Sequence, residues 1–290
     1  MKLNILEIYI SRIPGISTKE RLILLDIFNS YEDIIHCNAK DLKHILNHKI
    51  NSLQFSSTMI QFETEDIVKK MYNSDIELLT FGSDKYPAAL REIYDPPFIL
   101  YKRGGDINAE LPSFAVVGTR QSTSMADRAA YNLGIEISDY GFYLISGLAS
   151  GIDSKAHLGV VKRKGLGIAV LGNGIDFIYP QENIGLSNNI LDYGGVILSE
   201  YPPGTAPLGF HFPARNRIIS GLCNAVIVVE APEKSGALIT ADFALEQGRD
   251  VYIHGVSINS RKGSGCRKLM FQGADVIYSL GDIIAYEEVV

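Results

Sequence analysis

A chain of 290 residues, 46% hydrophobic and 21% charged, has a globular composition and is long enough for one large or two modest domains with a sizeable core. Its 27 Lys+Arg against 33 Asp+Glu leave a net charge of -6, which excludes a generally basic surface, so any polyanion site must be local. Three scattered cysteines, Cys37, Cys223 and Cys266, form no CxxC pair and argue against a disulfide framework or a zinc knuckle. No apolar run approaches the roughly 18 residues of a membrane span, and the N-terminus shows no cleavable leader pattern. The expectation is a soluble, cytoplasmic protein with no metal.

Residues 1 to about 75 read as short helices. "LNILEIYISRI", "STKERLILLDIF", "NAKDLKHIL" and "QFETEDIVKKMY" carry apolar residues at three- and four-residue intervals. Ser17 and Asn38 have the character of N-caps, and Glu20 completes a capping box with Ser17. The turn "IPGIS" resembles a degenerate helix-hairpin-helix that could offer amides to DNA phosphates, but Pro-Gly is also ordinary turn punctuation. Nine basic and ten acidic residues give this region no electrostatic footprint.

From residue 76 to about 112, two short extended runs with Pro87, Pro96 and Pro97 suggest a connector wrapped on the domain that follows. Beyond Leu111, "FAVVG", "YLISG", "GIAVLG", "GVILSE", "AVIVVE" and "DVYIHG" are apolar runs of strand length, separated by five segments long enough for helices. "ADVIYS" could add a last strand. Runs apolar on both faces alternating with helices predict an α/β fold, a Rossmann-like domain with a parallel-rich sheet covered on both sides, preceded by a small all-α domain.

Ligands of such sheets bind beyond the carboxyl ends of the strands. In order these ends are Gly118-Thr119-Arg120, "SGLASGID" from Ser146 and Gly147 through Gly151 to Asp153, "GNG" with Gly172 and Gly174, "SEYPPG", "EAPEKSG" ending at Ser235 and Gly236, and "HGVS". Most are rich in Gly and Ser, which lets the backbone approach a ligand and present N–H groups to an anion. The first turn has one glycine where a dinucleotide site would show G-x-G-x-x-G, so NAD and FAD are disfavoured and no cofactor is expected. Arg120 could grip a phosphate or pair with a neighbouring acid. Asp153 reads as an N-cap, and with His157 as a candidate acid and base. The small residues around Ser235 and Gly236 suit helix-sheet packing or a bound phosphate. Phe177, Tyr179, Phe210 and Phe212 suit a core or a stacking platform for bases. Arg215 and Arg217, flanking Asn216 in "FHFPARNRIISG", read as a ligand clamp or as an ion-pair joint with Glu200 and Glu230.

Taken together, "VVGTRQSTS", "ISGLASGIDSKAH", "IAVLGNGIDFIYPQEN", "ILSEYPPG", "FHFPARNRIISGL", "VIVVEAPEKSGALITADFALEQGRDVY" and "GSGCRKLMFQGA" closely resemble the DNA-processing protein A (DprA/Smf) family over residues 76 to 290. The helical N-terminus resembles the sterile-alpha-motif-like domain of many members. The resemblance implies a non-enzymatic homodimer that binds single-stranded DNA, protects incoming strands in natural transformation and helps load the RecA recombinase. It implies that Gly118, Thr119 and Arg120 form the phosphate-gripping turn. Ser146, Gly147, Gly151, Gly172, Gly174, Arg215, Asn216, Arg217, Ser235 and Gly236 would line or buttress the same pocket. Gln181 stands where the family usually has Lys or Arg, and His254 where it usually has proline. The winged-helix-like domain of longer members is expected to be absent after Val290. Leu269, Met270, Phe271 and Val276 could cross a dimer interface or close the sheet edge. The alternative is a nucleotide-phosphoribose hydrolase using Asp153, His157, Glu200 or Glu230, but the P-G-G-x-G-T-x-x-E loop of those enzymes is lacking.

Overall fold

Five helices precede the first strand in the computed structural model, which describes residues 4–47, 55–72 and 74–287. They are α1 (Ile5–Ser11), α2 (Thr18–Ile27), α3 (Tyr31–Ile34), α4 (Ala39–Leu46) and α5 (Ser57–Tyr72). The capping box at Ser17 is present: its side chain accepts from the Glu20 N–H at 3.3 Å, and the Glu20 carboxylate accepts from the Ser17 N–H at 2.7 Å. Asn38 caps α4 in the same way with Asp41. In the "IPGIS" turn Gly15 takes φ +72°, and Arg21 donates to the carbonyls of Ile16 at 2.6 Å and Ile13 at 3.2 Å. The Thr18 hydroxyl donates to the Pro96 carbonyl at 2.7 Å, so the turn docks on the connector.

The connector forms β1 (Glu77–Thr80), α6 (Ala88–Arg91) and β2 (Ile99–Gly104). Then come β3 (Ser113–Val117), α7 (Ser124–Asp139), β4 (Tyr143–Ser146), α8 (Ile152–Lys162), β5 (Leu166–Leu171), α9 (Ile184–Asp192), β6 (Val196–Ser199), α10 (His211–Leu222), β7 (Ala225–Val228), α11 (Gly236–Glu246) and β8 (Asp250–His254). The last elements are α12 (Ser264–Phe271), β9 (Asp275–Ile277) and α13 (Leu280–Glu287). The strands make one sheet in the order β1-β2-β6-β5-β4-β3-β7-β8-β9. Every pairing is parallel except β1 with β2 and β2 with β6, so the expected parallel-rich α/β fold is present, with an antiparallel ribbon on one edge.

The continuous apolar runs follow from burial on both faces. All five residues of β3 are buried, and alternate side chains enter opposite layers. Ala115 and Val117 join Ile218 and Ile219 of α10 and Ala237 and Ala241 of α11. Phe114 and Val116 join Ala130 and Leu133 of α7 and Ala156 and Val160 of α8. Each fully buried Val, Leu, Ile or Phe among them contributes about 1.5–3 kcal/mol. On the second layer α7 and α8 approach so closely that a side-chain carbon at Gly134 would meet the Ala156 carbonyl, and one at Gly159 the Tyr131 carbonyl. Leu6 and Ile8 of α1 share a third apolar cluster with Tyr101, Leu171 and Ile197 of the sheet, which ties the N-terminal helices to its antiparallel side.

Candidate functional site

Strand order reverses at β3, which has β4 on one side and β7 on the other. Two crossovers leave this point in opposite directions, opening a crevice beyond the carboxyl ends of β3 and β7. A cleft of about 400 Å³ occupies it. Seven of the expected residues line this cleft: Gly118, Thr119 and Arg120 after β3, Arg215 and Asn216 on α10, and Ser235 and Gly236 at the start of α11. The turn after β3 is held by a Thr119 N–H donating to the Glu230 carbonyl at 2.7 Å and an Ile152 N–H donating to the Thr119 carbonyl at 3.3 Å. Gly118 has no room for a side chain, which would meet Ile152 and the Glu230 carbonyl.

Arg120 is exposed, and its guanidinium lies over the Phe212 ring, 5.1 Å from the centroid. Phe212 in turn packs against Tyr179 at 5.8 Å. Among the described residues Arg120 forms no ion pair, so of its two sequence readings the pairing with a neighbouring acid is not found. The cation is held by an aromatic face and keeps its hydrogen-bond donors for a ligand.

Arg215 is buried behind the cleft. Its Nη1 donates to the Gly147 carbonyl at 3.0 Å and to the Val170 carbonyl, and its Nε to Asn216 Oδ1 at 3.3 Å. Asp153 grips the same residue from the other side, accepting from the N–H groups of Gly147 at 3.1 Å and Ala149 at 3.4 Å. Burial lowers the Arg215 pKa to about 10, opposed by the negative Asp153; burial raises the Asp153 pKa, opposed by the positive Arg215. The N-cap expected at Asp153 belongs instead to Gly151, at φ +80°, and Asp153 sits inside the first turn of α8, where its carboxylate braces the loop before the helix. His157 is wholly buried, lies outside the cleft lining and has its pKa pushed down to about 3 by burial.

Arg217 faces the other way. Its Nη1 and Nη2 donate to the two oxygens of Glu200 at 2.9 and 2.7 Å, and its Nε to the Asp95 carboxylate at 3.1 Å. Burial opposes its charge, but Glu200 and Asp95 outweigh burial and raise its pKa. Thus "RNR" divides: Arg215 and Asn216 back the cleft, while Arg217 joins α10, the end of β6 and the connector. Glu230 is not the partner of either arginine. Its carboxylate accepts from the Thr123 N–H at 2.8 Å, the Thr123 hydroxyl at 3.0 Å and the Ser260 hydroxyl, because the loop after β3 folds over the end of β7.

The remaining expected residues stand behind or beside the cleft. Ser146 donates to the Val116 carbonyl at 2.7 Å within the sheet, and Gly151 lets α8 approach the Thr119 carbonyl. Gly172 lies against Phe212, Gly174 against the 202–205 turn, and Gln181 is exposed at the 3-10 turn Gln181–Asn183, outside the lining. Gln121 and Lys234 are among the lining residues not singled out, and the Lys262 ammonium donates to the Gln121 carbonyl beside the cleft. Lys234 was within reach of sequence reasoning, being the one cation in the quoted loop "EAPEKSG". At the far edge of the sheet Leu269 is packed in the core and Met270 is half-buried against it. Phe271 is 84% exposed, and Val276 is half-buried on the edge strand β9. No helix among the described residues is long and apolar enough to cross a membrane.

Comparison with known proteins agrees with this architecture. The family DNA recombination-mediator protein A matches residues 77–288. The DNA processing protein DprA of Bacillus subtilis is 43% identical over 209 residues, covering 72% of this chain and 70% of that protein. Its counterpart in Streptococcus pneumoniae is 35% identical over 289 residues, covering 98% and 99%. The solved structure of the Streptococcus pneumoniae protein superposes with a TM-score of 0.79 at 34% identity over 98% of each chain. DNA processing protein A of Helicobacter pylori, solved for its single-stranded DNA binding mode, superposes with a TM-score of 0.66 at 27% identity, over 74% of this chain and 96% of that one. A family match over residues 77–288, a range that includes the switch-point loops of the cleft, together with relatives 43% and 35% identical, places this protein in the DNA-processing protein A family.

Proposed function

We propose that the chain binds single-stranded DNA at the switch-point cleft and, as a homodimer in the cytoplasm, protects incoming strands in natural transformation and helps load RecA. The observation that carries the DNA reading is the Arg120 guanidinium, without an ion pair among the described residues, held on the Phe212 ring at the mouth of the cleft. It offers a planar cation for a phosphate next to aromatic faces on which bases can stack, the pairing that single-strand binders use. Opposite it, Ser235 and Gly236 open α11, whose first amides carry partial positive charge toward the cleft. Lys234 adds a second cation on that wall, which offsets the neutral Gln181.

The Helicobacter pylori relative and its single-stranded DNA binding mode support this reading. The dimer reading rests on Phe271 and the edge strand beside it, and residues 1–75 are read as an accessory helical domain packed on the connector. Of the four candidate groups of the hydrolase alternative, Asp153 lines the cleft but its carboxylate accepts from the Gly147 and Ala149 N–H groups, His157 is buried, Glu230 holds Thr123 and Ser260, and Glu200 holds Arg217, which favours the DNA reading. Fluorescence anisotropy with labelled oligo-dT across a salt series, for wild type and Arg120→Ala, tests the reading. Binding that ignores both salt and the substitution sinks it.

A further inference from the structure

A second cavity, of about 290 Å³, lies at the opposite end of the sheet, under the connector and far from the switch point. Its lining is mixed: Ile145 and Ile168 from the sheet, Leu222 from the end of α10, and Ile107 and Leu111 from the segment after β2 form aliphatic walls, and Asp84, Asn108, Ser113, Tyr143 and Asn224 add polar groups. Three cations line it: Lys85, Arg91 and, from the turn between α11 and β8, Arg249. The Arg249 Nε is buried without a hydrogen-bond partner, and its Nη2 only reaches the Ala89 and Gly221 carbonyls at 3.5 Å. Among the described residues Arg249 forms no ion pair, whereas the other cations of the rim are engaged. Lys85 pairs with Glu77 and Asp106, and Arg91 donates to the Phe81 and Ser83 carbonyls.

We propose that this cavity is a binding site for a small organic monocarboxylate with an apolar body. A buried guanidinium donor left unsatisfied is costly, and a carboxylate is the group that matches guanidinium geometry through charge-assisted hydrogen bonds. At about 30 Å³ per water-sized group, the volume accommodates on the order of ten non-hydrogen atoms. The aliphatic side chains of the lining favour a hydrocarbon body, and the exposed Asp84 disfavours a phosphate dianion. The site is independent of the DNA reading, because no residue is shared between the two cavities.

Calorimetric titration of the full chain with 3-phenylpropanoate and with the neutral 3-phenylpropanamide tests it. The carboxylate is expected to bind at least about tenfold more tightly than the amide. Arg249→Gln is expected to remove that preference, Arg249→Lys to keep most of it, and Arg120→Ala to leave it unchanged. Leu111→Trp, which fills the cavity without touching the charge, is expected to abolish binding of both probes. Absence of binding to the wild-type chain, equal binding of acid and amide, or a preference that survives Arg249→Gln overturns the proposal. Should the Gln variant fail to fold, the comparison of acid with amide on the wild-type chain decides alone.

Discussion

Arg120 and Phe212 come from different crossovers of the sheet and meet face to face, guanidinium over ring at 5.1 Å, at the mouth of the cleft. The ring orients a charge that forms no ion pair among the described residues, and it packs against Tyr179, ring centroids 5.8 Å apart. Replacing Phe212 by Ala should therefore weaken oligo-dT binding by about 1–3 kcal/mol, the usual worth of one base–aromatic stack. The salt slope should stay nearly constant, because no phosphate contact is lost. Phe212→Tyr should bind like the wild type. Anisotropy at several salt concentrations reads both quantities, and a collapsed slope in Phe212→Ala would assign the ring to positioning Arg120 alone.

Arg217 should behave as a joint. Removing it leaves Glu200, its bidentate partner, partly buried without compensation, a change that costs about 3 kcal/mol in comparable pairs. Arg217→Ala is thus expected to lower the urea midpoint strongly while changing the DNA affinity of the folded fraction by less than about threefold. A tenfold loss of affinity at unchanged stability would make Arg217 a DNA contact instead.

His157 gives the protein a pH dependence of defined sign. Burial depresses its folded pKa to about 3, against about 6.5 in an unfolded chain. The unfolded state therefore binds the extra proton, and the stability due to neutral His157 is present above about pH 6.5 and is lost as pH falls toward 3. His211 and His254, also depressed by burial, act in the same direction. Between about pH 4.5 and 6, replacing His157 by Leu should reduce the slope of unfolding free energy by up to about 1.4 kcal/mol per pH unit. Denaturant titrations at several pH values measure this, and an unchanged slope would contradict the buried, neutral imidazole.

The far edge of the sheet supplies a test of the proposed dimer. Phe271 projects into solvent at the end of α12, next to the half-buried Met270 and edge strand β9, whereas Leu269 is committed to the core. Phe271→Asp should shift light-scattering mass from dimer to monomer on dilution without lowering the thermal midpoint of the monomer, and Met270→Asp should do the same at some cost to that midpoint, because Met270 packs partly against the core. A dimer that survives both substitutions rejects this edge as the interface.

Much of this architecture was legible in the chain. Strands buried on both faces, such as β3 and β7, leave apolar runs that only a covered sheet explains, and the Ser17 and Asn38 caps announce helix starts by local chemistry. The four-residue α3 is too short to carry a period, and so was not read. At the site, the turn after β3 and the glycine-rich loops were legible because ligand edges of such sheets sit in fixed places. Side-chain partners were not. Asp153 looked like a cap because a carboxylate before an apolar helix usually is one, but Gly151 at positive φ turned the chain two residues earlier. Arg215, next but one to Arg217, points to the opposite side of α10, and only the packed helix shows which arginine faces the cleft. Glu230 was assigned to an arginine because the fold of the loop over the end of β7, which delivers Thr123 and Ser260, has no signature in sequence.

The central claim is that Arg120 is the phosphate-gripping cation of a single-strand binding cleft. Its most direct test is the salt dependence of oligo-dT affinity in wild type and Arg120→Ala. The wild-type logarithm of affinity should fall linearly with the logarithm of salt concentration, by about 0.7 per phosphate contact, and the variant should bind more weakly with a slope shallower by about that amount. Identical affinities and slopes for the two proteins would contradict the account.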